Sequence, residues 1–134
     1  MDELRFDGRL LGDTLDVRTM SPAALAFLGD GVYGLMVREL LLCRANRPAG
    51  VLHKLSVSMV RAEAQSVAVD AILPMLTEGE LAVYKRGRNS HTARTGGDYH
   101  RATGLETLFG YLYLKGELGR LRELFEVCVT DNQL

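Results

Sequence analysis

FLGDGVYG, residues 27–34, places one carboxylate and three glycines inside an apolar segment that runs from residue 23 to residue 42. Glycine weakens a helix by about 1 kcal/mol per position relative to alanine. A buried carboxylate without a partner is costlier still. This stretch therefore predicts either a turn or a functional site within the core of the protein.

The letters GDGVYG also match the G-x-G-x-x-G pattern of dinucleotide-binding proteins. That pattern needs a strand before the glycines and a helix that opens at them. Ser21-Pro22 instead predicts a helix N-cap followed by proline in the first turn, so the helix begins well before the glycines. We interpret the stretch as a helix interior, in which Asp30 is either a structural residue hydrogen-bonded across helices or part of a site.

The length and composition indicate one domain. The chain has 134 residues, of which 47% are hydrophobic, and its formal net charge of −1 favours no class of partner. Cys43 and Cys128 have no short spacing, which favours a reducing, cytoplasmic compartment over a disulfide framework. The first residues lack the pattern of a signal peptide, so we expect none. Charges interrupt the most apolar segment, so we expect no membrane span.

Apolar periodicity predicts an all-α protein, and we find no convincing strand. Thr77 and Glu80 match a capping box that opens the third helix. Pro74 marks the end of the second helix or a kink near it. That second helix should carry a polar stripe made of Lys54, Ser58, Arg61 and Gln65. The predicted helices are 22 to about 43, 52–73, 78 to about 88, 99–115 and 118 to about 129.

A second isolated carboxylate, Glu106, lies among apolar residues of the fourth predicted helix, with Gly104 and Gly110 nearby. Glycines allow two backbones to approach closely. Two carboxylates brought together repel each other unless a cation or a proton lies between them. Oxygen ligands of this kind suit Mg²⁺ or Mn²⁺. Asp30 and Glu106 are therefore either one metal site or two independent, hydrogen-bonded polar residues.

Residues 84–101 are unusually basic. The charged side chains are Lys85, Arg86, Arg88, Arg94 and Arg101, against the single acid Asp98. This asymmetry favours an anionic partner, such as the phosphates of a duplex, over an ordinary solvated loop. Asn89 to Asp98 has no periodicity and contains two adjacent glycines, so we expect a mobile loop. His91 and His100 lack the spacing of a zinc site.

LAFLGDGVYGLMV (25–37) resembles the signature segment of the ribonuclease III catalytic domain, and GLETLFGYLYL (104–114) resembles its second acidic helix. LHKLS (52–56) and KRGRN (85–89) resemble the second conserved helix and the basic motif of the Mini-III subfamily. That subfamily is the short bacterial form without a double-stranded RNA-binding domain. The resemblance spans about residues 21–114.

The resemblance implies an all-α, ribonuclease III-like helical bundle that forms a homodimer. One catalytic domain would span residues 1–134, with a basic mobile loop at about 89–98. Asp30 and Glu106 would be the metal-binding catalytic carboxylates, with Mg²⁺ as cofactor and Mn²⁺ as a substitute. Residues implied in RNA binding are Lys85, Arg86, Arg88, Asn89 and Arg94.

The implied activity is hydrolysis of double-stranded RNA, with maturation of large-subunit ribosomal RNA precursor in the cytoplasm, on a particle that carries a ribosomal protein. Standard ribonuclease III domains have further acids where this chain has Ala23, Ala26 and Thr103. The number of bound metal ions therefore stays open. Two alternatives also stay open: a non-catalytic double-stranded RNA-binding module with this fold, and a purely structural helical dimer.

Overall fold

The computed structural model describes residues 8–90 and 96–129, and these residues form helices and no strand. The prediction of an all-α fold is confirmed. Two short 3-10 turns, Val17–Thr19 and Leu73–Met75, accompany the α-helices. The helices are α1 (Pro22–Arg44), α2 (Ala49–Val60), α3 (Ala62–Ile72), α4 (Glu78–Arg88), α5 (Gly97–Leu114) and α6 (Leu118–Cys128).

The ends of four predicted helices agree with α1, α4, α5 and α6 to within two residues. The side chain of Ser21 caps α1, and Thr77 and Glu80 form the predicted capping box at α4. The predicted loop from Asn89 to Asp98 is too long, because α5 already begins at Gly97. Residues 91–95 of that loop lie outside the described residues, so its mobility stays a prediction.

The single second helix predicted over 52–73 is wrong. The chain forms α2 and α3, and Arg61 between them is extended, with φ −67° and ψ 158°. The Arg61 amide donates to the Val57 carbonyl, and the Arg61 carbonyl accepts from the Gln65 amide. One extended residue thus ends one helix and starts the next without losing these backbone hydrogen bonds. The break lets α2 pack on α1 while α3 packs on α5 and α6.

Helix α5 is the centre of the bundle, in contact with α1, α3, α4 and α6. Every residue from 102 to 110 is buried except Glu106. A helix that is apolar on all sides needs such a central position. At the crossing of α1 and α5 the aromatic ring of Tyr33 meets Phe109 edge-on, with ring centroids 5.2 Å apart.

The α1–α5 crossing is unusually close because glycines face each other across it. A Cβ atom added at Gly29 would lie 1.7 Å from the carbonyl oxygen of Glu106. A Cβ atom at Gly110 would lie 2.0 Å from the carbonyl oxygen of Leu25. These two positions confirm that glycine here provides clearance for a second helix. Gly31 does not share this role, since no described atom lies within 4 Å of its Cβ position.

Candidate active site

An open cleft of about 560 Å³ lies mainly between α1, α3 and α5. Three of its walls carry a polar side chain: Asp30 from α1, Gln65 from α3 and Glu106 from α5. The close α1–α5 crossing sets their spacing, because Gly29 touches the backbone of Glu106 directly. Asp30 follows Gly29 in the chain, so the same contact brings the two carboxylates to one side of the crossing.

Asp30 and Glu106 interact directly. Burial raises the pKa of the Glu106 carboxyl to about 7, and the charge of Asp30 and a hydrogen bond with it act in the same direction. Asp30 lies at the exposed rim of the cleft, whereas Glu106 is half-buried. Two carboxyl groups held this way need a proton or a cation between them.

Gln65 is the site residue that the sequence analysis missed. The predicted polar stripe would have left Gln65 on a solvent-facing side, but its side chain is 1% exposed and lines the cleft. The amide acts on Glu106 and lowers its pKa, against the effect of burial. The available signal was spacing: Val69 and Ile72, four and seven residues on, are fully buried on the same face of α3.

Asp30 and Glu106 suit an open site, in which one hard divalent cation keeps waters among its ligands, better than a closed site made only of protein ligands. Asp30 and Glu106 supply carboxylate oxygens, and Mg²⁺ characteristically keeps several waters beside one or two carboxylates. Among residues 8–90 and 96–129, no group of three or more His, Cys, Asp or Glu side chains could hold a metal ion. Any cation bound here would therefore depend on water or substrate for its remaining ligands.

The candidate RNA-binding residues divide into three groups. Lys85 and Arg86 are exposed in the last turn of α4. Arg88 lies over the Tyr84 ring at 5.7 Å, and its Nε donates to Oδ1 of Asn89 at 3.2 Å. Arg94 lies outside the described residues. The end of α4 leads directly to the cleft.

Ser90 lies two residues after the end of α4 and lines the cleft. The basic end of α4 is therefore next to the cleft. Basic side chains in a last turn also stabilise the negative end of the helix dipole, which is a structural role available to Lys85 and Arg86. Arg101, a further basic residue of this segment, already has an acidic partner. Its guanidinium is paired with Asp70 of α3.

Comparison with known proteins assigns the fold to a family. The model of the ribonuclease III domain matches residues 23–117. The chain belongs to the ribonuclease III family. Members of this family are endoribonucleases, and we take the chain to be one.

Curated relatives of this ribonuclease III-family chain carry the name Mini-ribonuclease 3. The relative from Thermoanaerobacter sp. strain X514 is 43% identical, over 84% of this chain and 83% of its own length. The relative from a Synechococcus strain is 45% identical, over 84% of this chain and 83% of its own length. A crystal structure of a Fusobacterium nucleatum protein has a TM-score of 0.76 at 29% identity, covering 85% of this chain and 95% of that one.

The positions where ribonuclease III domains carry further acids lie at the cleft. Ala23, Ala26 and Thr103 all line it, so the cleft lacks carboxylates at these positions. Their absence leaves an open, less negative site rather than an altered fold. Separately, none of the helices in the described part of the chain has the length and apolar character needed to cross a membrane.

The pKa of Glu106 predicts a pH dependence for the metal-free protein. An acid whose pKa rises on folding binds its proton more tightly in the native state, so stability falls as pH rises from about 4.5 to about 7. Thermal unfolding in EDTA across this range should show that loss. Glu106→Gln should flatten this part of the pH dependence. An unchanged slope in Glu106→Gln would contradict the assignment of the titration to Glu106.

Proposed function

We propose that this family member is a divalent-metal-dependent endoribonuclease that cleaves double-stranded RNA, with Asp30 and Glu106 as its metal-binding catalytic carboxylates. One observation carries the proposal. The two acids are 76 positions apart in the sequence and lie on different helices, α1 and α5. They nevertheless interact in an open cleft. The experiment that tests it is cleavage of a long RNA duplex by the wild type and by Asp30→Asn and Glu106→Gln.

The mechanism follows from the arrangement of the two acids. A bound Mg²⁺ or Mn²⁺ would lower the pKa of a coordinated water and stabilise the leaving oxygen. Asp30 at the exposed rim and the half-buried Glu106 on the inner side would both hold that cation. The burial that raises the pKa of Glu106 also strengthens its attraction for a cation once it is ionised. Hydrolysis would leave a 5′-phosphate and a 3′-hydroxyl.

RNA binding is proposed for Lys85, Arg86, Arg88, Asn89 and Arg94. The exposed ammonium and guanidinium groups of Lys85 and Arg86 suit phosphate contacts. A-form RNA displays phosphates and 2′-hydroxyls at its wide minor groove, so recognition would depend on shape more than on sequence. The oxygen of Asn89 is occupied by Arg88, which leaves the amide nitrogen of Asn89 to donate to a phosphate.

Charge reversal of Lys85 and Arg86 tests the binding part of the proposal. Lys85→Glu/Arg86→Glu should weaken binding of an RNA duplex by at least about 10-fold at low salt and make binding less sensitive to salt. A matched control is Lys115→Glu/Arg122→Glu, which makes the same charge change on residues that do not line the cleft. Equal loss in both double variants would indicate a general charge effect instead of a local RNA contact.

A homodimer is proposed from the exposed face of α1. Phe27 and Leu35, two helical turns apart, are 84% and 56% exposed, and Leu42 continues the same stripe. An apolar stripe on a rigid helix beside the cleft suits a second copy of the chain, so that each subunit would cut one strand of the duplex. Phe27 also lines the cleft, which would bring the two sites close to the interface.

Sedimentation velocity tests this assembly. We expect a dimer for the wild type and a folded monomer for Leu35→Glu, because a charge at the centre of an apolar interface costs several kcal/mol. Glu63→Lys, an exposed substitution on α3, serves as control and should stay dimeric. A monomeric wild type at micromolar concentration would contradict the dimer.

The finer substrate is proposed from the Mini-III resemblance, which the curated relatives named Mini-ribonuclease 3 support. We propose that the protein matures the ends of large-subunit ribosomal RNA precursor in the cytoplasm, on a particle that carries a ribosomal protein. Ala26 and Thr103 favour the second candidate, a non-catalytic double-stranded RNA-binding module, because they leave the site with two carboxylates. Duplex cleavage distinguishes the two candidates.

A further inference from the structure

Gln65 is a buried amide whose position has an evident cost. Its side chain is 1% exposed, and within the part of the chain that the structure describes neither Oε1 nor Nε2 has a hydrogen-bond partner. A buried amide without partners destabilises the folded state, because it gives up its hydrogen bonds to water. Val69 and Ile72 occupy the same face of α3 and are fully buried, so an apolar side chain would suit this face better.

The direction of the Gln65 side chain is set by α3 and its contact with α5. Gln65 lines the cleft together with Asp30 and Glu106. Its amide lowers the pKa of the Glu106 carboxyl, so it lies beside that group and favours the ionised carboxylate. The amide therefore lies beside a proposed metal ligand, and neither of its polar atoms has a hydrogen-bond partner among the described residues.

We propose that Gln65 is a positioning residue of the cation site. Its amide nitrogen orients the carboxylate of Glu106, and its amide oxygen accepts a hydrogen bond from a water of the cation's hydration shell. An inward amide suits this task because the positions around it, Ala26 and Thr103, supply no further carboxylate to hold such a water. This inference depends on the proposed metal dependence of the same site.

Metal affinity of the free protein, without RNA, provides the test. Mn²⁺ binding is measured by electron paramagnetic resonance for the wild type, Gln65→Met and Gln65→Glu. Gln65→Met keeps the length and loses the polar atoms, so we expect Mn²⁺ to bind at least about 10-fold more weakly, as for other residues that orient metal ligands. Gln65→Glu loses the amide donor but keeps an oxygen acceptor and adds a negative charge beside the cation, so it should retain Mn²⁺ binding.

A structural role would give a different pattern. Gln65→Met should unfold at the same temperature as the wild type or higher, because it removes an unpartnered buried amide. Ser66→Ala is the matched control, since Ser66 is the neighbouring buried polar residue of α3 and does not line the cleft. It should leave Mn²⁺ affinity unchanged. Should Gln65→Met misfold, Gln65→Leu takes its place in the same measurement.

The outcomes separate this inference from the proposed function. Wild-type Mn²⁺ affinity in Gln65→Met, with binding abolished in Asp30→Asn, would overturn the role of Gln65 and leave the metal site standing. Equal loss of affinity in Gln65→Met and Ser66→Ala would also overturn it, as a general effect of disturbing α3. A wild type whose Mn²⁺ binding does not depend on Asp30 would overturn both the proposed function and this inference.

Discussion

Asp30→Asn and Glu106→Gln should each reduce the cleavage of a long RNA duplex in Mg²⁺ by about 10³-fold or more. Such a factor corresponds to about 4 kcal/mol of lost transition-state stabilisation. Each substitution keeps the size of the side chain and removes the charge that a divalent cation needs. The two carboxylates interact directly, so loss of either one leaves a single ligand from this pair. RNA affinity should stay within about threefold of the wild type, because binding is proposed to depend on the basic residues at the end of α4.

A matched control for these variants is Glu39→Gln, which neutralises an exposed carboxylate on the helix that carries Asp30. Glu39 does not line the cleft. It should cleave as the wild type does. Full activity in Asp30→Asn would contradict the assignment of Asp30. Equally negligible cleavage by the wild type and both variants would instead favour the non-catalytic RNA-binding module. A gel assay with a duplex labelled on each strand gives the rate and the cleavage position together.

Gly29→Ala should destabilise the protein by about 2 kcal/mol or more. The added methyl group would lie 1.7 Å from the backbone oxygen of Glu106, which cannot move away as a flexible side chain can. Overfilling a packed core usually costs about 1–3 kcal/mol, and a collision with backbone belongs at the upper end. The helix propensity of alanine offsets about 1 kcal/mol of that cost. Chemical denaturation followed by circular dichroism measures the difference.

Gly119→Ala provides the comparison, because Gly119 is also helical and no described atom lies within 4 Å of its Cβ position. This variant should be as stable as the wild type or slightly more stable. A loss of 1 kcal/mol or less in Gly29→Ala would contradict the close crossing of α1 and α5. It would also weaken the argument that this crossing sets the spacing of Asp30 and Glu106.

Much of the fold could be predicted because its signals are local. The serine and proline that open α1 and the capping box of α4 satisfy backbone amides within their own first turns, so they do not depend on the rest of the protein. Gly116, two residues after the end of α5, has φ +75°, a left-handed conformation that favours glycine. Its position after the helix is therefore an equally local signal. Asp30 and Glu106 were also identifiable, since each is an isolated charge in an apolar helix with glycines beside it.

Other features were decided by the tertiary structure. Arg61 is neither glycine nor proline, so nothing local marks the break between α2 and α3, which exists because the two helices pack on different partners. That break turns Gln65 into the cleft, whereas an unbroken helix would leave it beside Lys54 and Ser58. Arg101 pairs with Asp70, a partner 31 positions away that its own segment does not reveal.

The amino-acid sequence by itself therefore determined four of the six helices and which two acids stand out, because hydrogen bonding within a turn and hydrophobic periodicity are short-range effects. The tertiary structure decided how the helices cross, and with it the distance between the acids and the burial of Gln65. Those quantities depend on contacts between residues far apart in the chain. The clearest of them is Gly29 against Glu106, where the missing side chain of one residue allows the backbone of the other to come close.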